Sequence, residues 1–245
     1  MDDTYQEIQA LNQRLHEYRK TEHPKITKAL EIEYTFESNK IEGNTLTLQE
    51  TAIVIEKGLT VGGKTLNEHL EAINHSNAIG YIKAVAKVPN SITETDVLEI
   101  HSLLLESIDK PNAGTYRKVP VIISGAKHVP PQPHLVAEQM KAMFDWYNTY
   151  KDSLHPIKLS AEMHERLVTI HPFIDGNGRT SRLLMNLILL QHGYPIAILK
   201  GDVQSRLAYY NALEVAQTTG NKEEFVNLIT NNLKAMVGRI LSLFE

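Results

Sequence analysis

Residues 171–182 read His-Pro-Phe-Ile-Asp-Gly-Asn-Gly-Arg-Thr-Ser-Arg, between two segments whose apolar residues recur at helical spacing. Pro172 disfavours helical dihedrals at the residue before it, so the upstream helix is predicted to end at His171. Two glycines then open a loop before the next helix. The stretch therefore predicts a helix–loop–helix unit whose loop carries a base, a carboxylate and two cations.

The first two polar side chains of this loop suit proton transfer and metal binding. The imidazole of His171 titrates near neutrality, so it can accept a proton from an attacking hydroxyl. Asp175 offers the hard oxygen that Mg²⁺ prefers when phosphate oxygens and water complete its shell. The alternatives are a hydrogen-bonded core histidine and a turn-forming aspartate before glycine.

The second half of the stretch is typical of anion binding. Backbone N–H groups of residues 176–178 precede a helix, and a helix N-terminus attracts negative charge. Arg179 and Arg182 are three residues apart on that helix, so they share a face and can bind phosphate oxygens bidentately. A solvated pair of surface arginines is the alternative. The following helix is apolar nearly all round, which predicts a buried central helix.

The composition of the whole chain excludes several functional classes. The 245 residues carry 25 basic and 29 acidic side chains, a formal net charge of -4, which is no footprint for nucleic acid. There is no cysteine, hence no disulfide, thiolate metal site or cysteine nucleophile. The N-terminus does not resemble a secretory signal, and the apolar run 183–190 is too short to span a membrane. We therefore expect a soluble, cytoplasmic protein that contacts no membrane.

Helical patterns dominate the rest of the chain, and one segment differs. A β-branched run around a glycine, residues 119–129, predicts a short β-hairpin. The fold is predicted to be mainly α, a helical bundle with this one hairpin. We expect N-terminal helices over 1–58 and a core with C-terminal helices over 59–245, in one compact unit. Helices are predicted over 4–20, from Pro24 to Gly43-Asn44, and near 47–58, 65–87, 94–107, 134–150, 157–170, 178–192, 204–217 and 222–244.

The central stretch resembles the motif H-P-F-x-[DE]-G-N-G-R-x-x-R of the Fic family. The similarity extends to Gly114-Thr115-Tyr116-Arg117 and to Tyr209-Tyr210, so it covers roughly residues 30–220. The family consists of AMP transferases and close relatives with a mostly α core. The resemblance implies that His171 deprotonates a Ser, Thr or Tyr hydroxyl of a target protein, which then attacks the α-phosphorus of ATP. It also implies that residues 119–129, which we call the flap, dock a segment of an unknown target protein by strand addition.

The resemblance also implies a nucleotide site with Mg²⁺ as cofactor and ATP as substrate. Asp175 would hold Mg²⁺, Arg179 would stabilise phosphate charge and Arg182 would hold the γ-phosphate. Gln217 stands where relatives often carry Asn, so one ribose contact differs. The residues predicted to contact the nucleotide are Ser124, Gly125, Asp175, Gly176, Asn177, Gly178, Arg179, Thr180, Arg182, Tyr209, Tyr210 and Gln217.

A second segment, residues 38–44, resembles the inhibitory pattern [ST]-x-x-x-E-[GN] of autoinhibited Fic proteins, with Ser38 and Glu42 at its defined positions. Glu42 falls in the last turn of its predicted helix, where a carboxylate opposes the macrodipole by ~0.3–1 kcal/mol. A cation partner would relieve this cost, and Arg182 is the candidate. That pair would occupy the γ-phosphate site, so ATP would bind unproductively. An exposed glutamate is the alternative.

These patterns together predict an autoinhibited protein adenylyltransferase that also modifies itself. Three alternatives remain open. Glu42 could position a water that removes AMP from a modified protein, the chain could be a nucleotide-sensing module with little turnover, or it could be a metal-dependent phosphohydrolase. His164-Glu165 begins like the zinc motif H-E-x-x-H, but position 168 is Val. The apolar face of the last helix predicts packing on the core, with a homodimer contact as the alternative.

Overall fold

The computed structural model describes residues 2–19, 24–88 and 91–244, and helices make up most of it. A long irregular segment follows α5 and ends in a single 3-10 turn, Pro133–Leu135. The predicted mainly α fold is confirmed. The helices are α1 Asp2–Arg19, α2 Pro24–Ile41, α3 Leu48–Lys57, α4 Leu66–Ala86, α5 Glu94–Leu105, α6 Val136–Tyr150, α7 Pro156–Ile170, α8 Asn177–Gln191, α9 Val203–Thr219 and α10 Glu223–Leu241.

Helix α8 is the centre of the molecule. Its side chains from Arg179 to Leu189 are all buried, as its all-round apolar pattern predicts. Helices α4, α5 and α7 pack directly on it, while α10 packs on α1, α7 and α9. Leu233, Met236 and Ile240 of α10 are buried in the main core. The apolar face of α10 therefore packs on the core as predicted, and the homodimer stays a prediction.

The segment from α2 to α3 is fixed by local signals. Thr47 caps α3, accepting the Glu50 N–H while the Glu50 carboxylate accepts the Thr47 N–H, which is a capping box. Gly43 turns the chain after α2 with φ +99°, a conformation that favours glycine. Helix α2 packs on α4 and α8, and Glu42, just after its last residue, bonds to Arg182 near the start of α8. The division at residue 58 stays a prediction.

The predicted β-hairpin is not formed in the described structure of the flap. Ser124 and Gly125 form the expected turn, closed by the Ala126 N–H bonding to the Ile123 carbonyl at 3.2 Å, but no strand ladder flanks it. Pro120 has no N–H to donate to a ladder. Side-chain bonds hold the second arm instead: the His128 ring lies 2.8 Å from the Thr169 carbonyl. The hairpin prediction is therefore wrong, although the turn within it is correct.

None of the helices in the described ranges has the length and apolar character that crossing a membrane requires.

Candidate functional site

His171 ends α7 in a left-handed backbone conformation. Its φ of +51° makes it the one non-glycine residue with positive φ in the described ranges. Its N–H bonds to the Leu167 carbonyl at 3.0 Å, and Pro172 prevents the helix from continuing. Its Nδ1 lies 3.3 Å from the Val168 carbonyl, which can only accept, so Nδ1 carries the proton and Nε2 keeps a free lone pair. Burial lowers its pKa, which favours the neutral form.

The loop after His171 is closed by a reciprocal pair of hydrogen bonds. The Asn177 side chain accepts the Phe173 N–H and donates to the Phe173 carbonyl, both at 2.9 Å. Asn177 therefore shapes the loop with its side chain, and only its backbone N–H is left for a ligand. Gly176 caps α8 in the left-handed region with φ +77°, and no side chain satisfies the first N–H groups of α8. These N–H groups lie where the sequence predicts an anion site, and their binding of an anion stays a prediction.

His101 of α5 packs against this loop, and the sequence does not predict its role. Its ring stacks on Phe173 with centroids 3.6 Å apart. Nδ1 accepts the Gly114 N–H and Nε2 donates to the Asp175 carbonyl, each at 3.0 Å, so the ring is a neutral tautomer. Burial lowers the pKa of His101 to about 4. A histidine on the apolar face of a predicted helix was the available signal, but nothing in the sequence names its partners.

Arg179 bridges two carboxylates at the start of α8. It is 2% exposed. Its Nη2 lies 3.0 Å from Asp175 Oδ2, and its Nη1 lies 3.0 Å from Glu71 Oε1. Glu71 also accepts a bond from Asn44 Nδ2 at 2.8 Å. Glu71 of α4 is thus a second residue that sequence reasoning missed, because its partner lies 108 positions away along the chain.

Asp175 presents the carboxylate oxygen that a divalent cation would need. Its side chain is 68% exposed, while its backbone is held by His101. No group of three His, Asp or Glu side chains in the described structure could hold a metal by itself. The donor set nevertheless fits Mg²⁺, which typically takes one or two carboxylates and completes its shell with phosphate and water oxygens.

Arg182 is completely buried and bound to the end of α2. Its Nη2 lies 2.6 Å from Glu42 Oε1 and 2.9 Å from the Ser38 carbonyl, and its Nε donates to the Ser38 hydroxyl at 3.0 Å. Burial alone would lower the pKa of Arg182, but the charge and hydrogen bond of Glu42 raise it. The Glu42–Arg182 contact expected from the sequence is therefore present.

The Glu42 carboxylate also lies against the N-terminus of α8. A Cβ atom added to Gly178 would collide with Glu42 Oε1 and would approach Arg182 Nη1 to 3.1 Å. Glycine at 178 thus allows a carboxylate to contact the first turn of α8. An anionic group already occupies the place where the helix N-terminus and Arg182 converge.

The remaining candidates lie around this centre with different exposure. Tyr209 is buried, and its hydroxyl lies 3.1 Å from His164 Nε2, so the hydroxyl already has a partner within the protein. Tyr210 is 43% exposed and donates to the Ile41 carbonyl at 3.2 Å. Thr180 is fully buried, Gln217 is half-buried on α9, and Ser124 and Gly125 form the exposed flap turn. Their nucleotide contacts stay predictions.

The fold and site define a helical protein with a base, a carboxylate and two guanidinium groups around one helix N-terminus. The Fic/DOC family model matches residues 91–189. A solved Fic-1 chain from C. elegans superposes with a TM-score of 0.86 at 30% identity, covering 99% of this chain and 72% of that one. This chain belongs to the Fic/DOC family.

Other relatives agree with this assignment. The curated protein adenylyltransferase Fic of Drosophila willistoni is 41% identical over 201 residues, which is 82% of this chain and 39% of the relative. A solved Fic-domain-containing signaling protein from Bacteroides thetaiotaomicron is 26% identical with a TM-score of 0.84, covering 96% of this chain and 94% of that one. The chain thus spans about two fifths of the length of the curated relative it matches.

Proposed function

We propose that this chain transfers AMP from ATP to a Ser, Thr or Tyr hydroxyl of a target protein and of itself, and that Glu42 inhibits the transfer. The observation that carries this proposal is the Glu42 carboxylate bound between Arg182 and the N-terminus of α8. A site that holds one anion there is suited to a phosphate group. The curated relatives are named protein adenylyltransferases, which supports the same activity.

The geometry supports a proton-transfer role for His171. Its Nε2 lone pair accepts the proton of the attacking hydroxyl. The hydroxyl oxygen forms a bond to the α-phosphorus, the bond from that phosphorus to the bridging oxygen breaks, and pyrophosphate leaves. The first N–H groups of α8 and the Arg179 guanidinium stabilise the negative charge of the phosphates. Bound Mg²⁺ would supply further charge neutralisation on the phosphates, with Asp175 as its protein ligand.

Glu42 inhibits in this proposal by competing for Arg182. The Nε and Nη2 groups of the guanidinium donate to Glu42 and Ser38 of the α2 segment, while Nη1 has no partner among the described residues. A γ-phosphate that binds this edge of Arg182 has to displace the Glu42 carboxylate. A triphosphate would also be repelled by the carboxylate. Transfer therefore requires Glu42 to leave Arg182.

Removal of AMP from a modified target is a second candidate reaction. The charge of Glu42 acts on His171, whose pKa it raises against the larger effect of burial. In this reaction Glu42 would position a water together with His171. Water would then attack the phosphorus in place of the hydroxyl, releasing AMP and restoring the target hydroxyl.

The flap is the proposed docking site for the target segment. Ile122 is 90% exposed and Val119 is 51% exposed, while backbone groups of residues 121–123 form no ladder within the described structure. An extended peptide can bond to such groups and place its side chains on these apolar residues.

The experiment compares wild type, Glu42→Gly and His171→Ala after incubation with MgATP, with the exposed-residue variant Glu56→Gln as control. Intact-mass analysis should show a gain of one or more AMP groups in Glu42→Gly, little in wild type and the control, and none in His171→Ala. Tight nucleotide binding without any mass gain in Glu42→Gly would instead indicate a nucleotide-sensing module. Release of AMP from a modified protein, lost in Glu42→Gly, would indicate removal as the main reaction.

A further inference from the structure

Arg117 is a buried cation that no carboxylate accompanies in the described structure. It lies in the irregular segment after α5 and is only 3% exposed. Burial lowers its pKa, and no acidic group among the described residues offsets that effect. A buried charge is costly unless hydrogen bonds replace its water. The buried guanidinium of Arg117 therefore needs hydrogen-bond acceptors within the protein.

The acceptors are backbone carbonyls of the flap and of the base. Arg117 Nε donates to the His171 carbonyl at 2.8 Å. Nη1 donates to the Val119 carbonyl at 3.2 Å, and Nη2 donates to the Pro131 carbonyl. The Arg117 N–H also bonds to the Pro172 carbonyl at 2.9 Å. One planar group thus contacts the first residue of the flap, the chain just after its end, and the backbone of His171.

This arrangement controls the orientation of the base. A left-handed conformation at a non-glycine residue persists only where surrounding contacts determine it. The His171 carbonyl is turned by that conformation towards Arg117 Nε. The His128 ring adds a tie from the flap to Thr169, two residues before His171.

We infer that Arg117 is a positioning residue that holds the His171 backbone and both ends of the flap as one unit. Arginine is needed because its fork of N–H donors reaches three carbonyls in different directions, which a lysine ammonium on a flexible stem cannot reproduce. The inference depends on the proposed function only for its kinetic readout.

The Arg117 charge has a second effect on the same base. Burial has the largest effect on the pKa of His171 and lowers it, and the charges of Arg117 and His128 lower it further. The bond to the Val168 carbonyl and the charge of Glu42 act in the opposite direction and raise it. Removing the Arg117 charge should therefore raise the pKa of His171. The acidic limb of a rate profile that needs neutral His171 would move to higher pH.

The test uses Arg117→Met and Arg117→Lys, with Lys118→Met as the matched control. Lys118 is the next residue and its side chain is exposed, so the control removes one positive charge nearby without breaking a carbonyl tie. Each substitution is made in wild type and in Glu42→Gly. The readouts are hydrogen exchange of residues 119–131, the His171 pKa from NMR titration of histidine, and the kinetics of AMP transfer.

Arg117→Met should speed exchange of residues 119–131 and raise the His171 pKa. It should lower kcat on the order of 10- to 100-fold with little change in KM for ATP, because a misplaced base slows the chemical step but leaves the contacts that bind ATP in place. Arg117→Lys keeps the charge, so it should speed exchange while the His171 pKa stays. Lys118→Met should match its parent in every readout.

The inference is overturned if both Arg117 variants match Lys118→Met in flap exchange, in His171 pKa and in kcat. If Arg117→Met does not fold, Arg117→Lys decides the question through exchange alone. If Glu42→Gly transfers no AMP, the proposed function fails, while exchange and titration still decide the role of Arg117.

Discussion

Replacing Glu42 with glycine should release the transfer reaction by an amount that the structure sets. At the observed 2.6 Å, Coulomb's law with an effective dielectric constant of about 20 gives an attraction to Arg182 of about 6 kcal/mol. That gross figure overstates the net effect, since both groups lose water on pairing and the Glu42 side chain is 32% exposed. A hydrogen bond between charged groups typically contributes about 1.5–3 kcal/mol net.

A closed state favoured by about 1.5–3 kcal/mol leaves an open fraction of roughly one tenth to one part in 150. Glu42→Gly should therefore raise the initial rate of AMP transfer at saturating MgATP by about 10- to 150-fold. Glu42→Gln keeps an oxygen that can accept from Arg182 but loses the charge, so its rate should lie between the two. Initial rates with labelled ATP on equal amounts of folded protein measure both.

The same substitution should alter stability in a way that nucleotide reverses. Glu42→Gly leaves buried Arg182 without a carboxylate, although Ser38 still accepts two of its bonds. We expect a loss of about 1–3 kcal/mol in the free energy of unfolding, which MgATP should restore by mass action. The closed population derived above predicts that the rate of Glu42→Gly is at least about tenfold that of wild type. A rate within about threefold of wild type would refute the argument, provided that MgATP stabilises the variant.

Three further predictions concern the loop and the anchoring of α2. The added methyl group of Gly178→Ala should displace the Glu42 carboxylate and also fill the space at the N-terminus of α8. The rate of AMP transfer should therefore not rise as it does in Glu42→Gly, and calorimetry should show weaker ATP binding. Burial lowers the pKa of His101 to about 4, so the stability that neutral His101 contributes to the fold is fully present above pH 6.5 and is lost as the pH falls towards 4. The free energy of unfolding of His101→Gln, measured with urea, should therefore depend less on pH between these values than that of wild type. The pKa of Glu33 is lowered chiefly by its hydrogen bond to Arg239, so the stability that this carboxylate contributes should decline as the pH falls below about 4.5. Glu33→Gln should unfold about 1 kcal/mol more easily than wild type at pH 7, and urea unfolding should show this difference shrinking as the pH falls through that region.

Features with local chemical causes could be predicted from the sequence. The capping box at Thr47 and Glu50 depends on residues three positions apart, and the end of α7 depends on Pro172. The Glu42–Arg182 contact spans 140 positions. It was predictable because residues 38–44 resemble the inhibitory pattern of autoinhibited Fic proteins. The charge argument agrees, since a carboxylate at a helix C-terminus and a cation on a buried helix each need a partner of opposite charge.

Features that depend on tertiary neighbours could not be predicted. The flap has a β-branched sequence typical of a strand, but its ladder needs a partner that the described chain does not supply, so side-chain ties to α7 and α9 decide its path. Glu71 and His101 do not stand out in the sequence, and Arg117 is singled out there only by the family resemblance, which gives it no partner. Each acquires its role from a partner in another element, and for Arg117 three of the partners are carbonyls, which no sequence pattern displays.

The chemistry of the α2 surface explains how the proposed inhibition can be reversible. Helices α7 and α8 pack through apolar side chains, whose burial is strongly favourable in water. Helix α2 buries many polar side chains in its last three turns, and both side-chain polar atoms of Asn39 are buried without a protein partner in the described structure. Its buried polar residues are Glu33, Thr35, Glu37, Ser38 and Asn39. Exchanging a hydrogen bond of these residues for bonds to water changes the free energy by about 0.5–1.5 kcal/mol, or by about 1.5–3 kcal/mol where a charged group takes part, so the end of α2 can release Arg182 at modest cost. The segment that carries Glu42 is thus held by contacts that hydration or a competing phosphate can replace, while the base and the α8 N-terminus remain fixed by the apolar core.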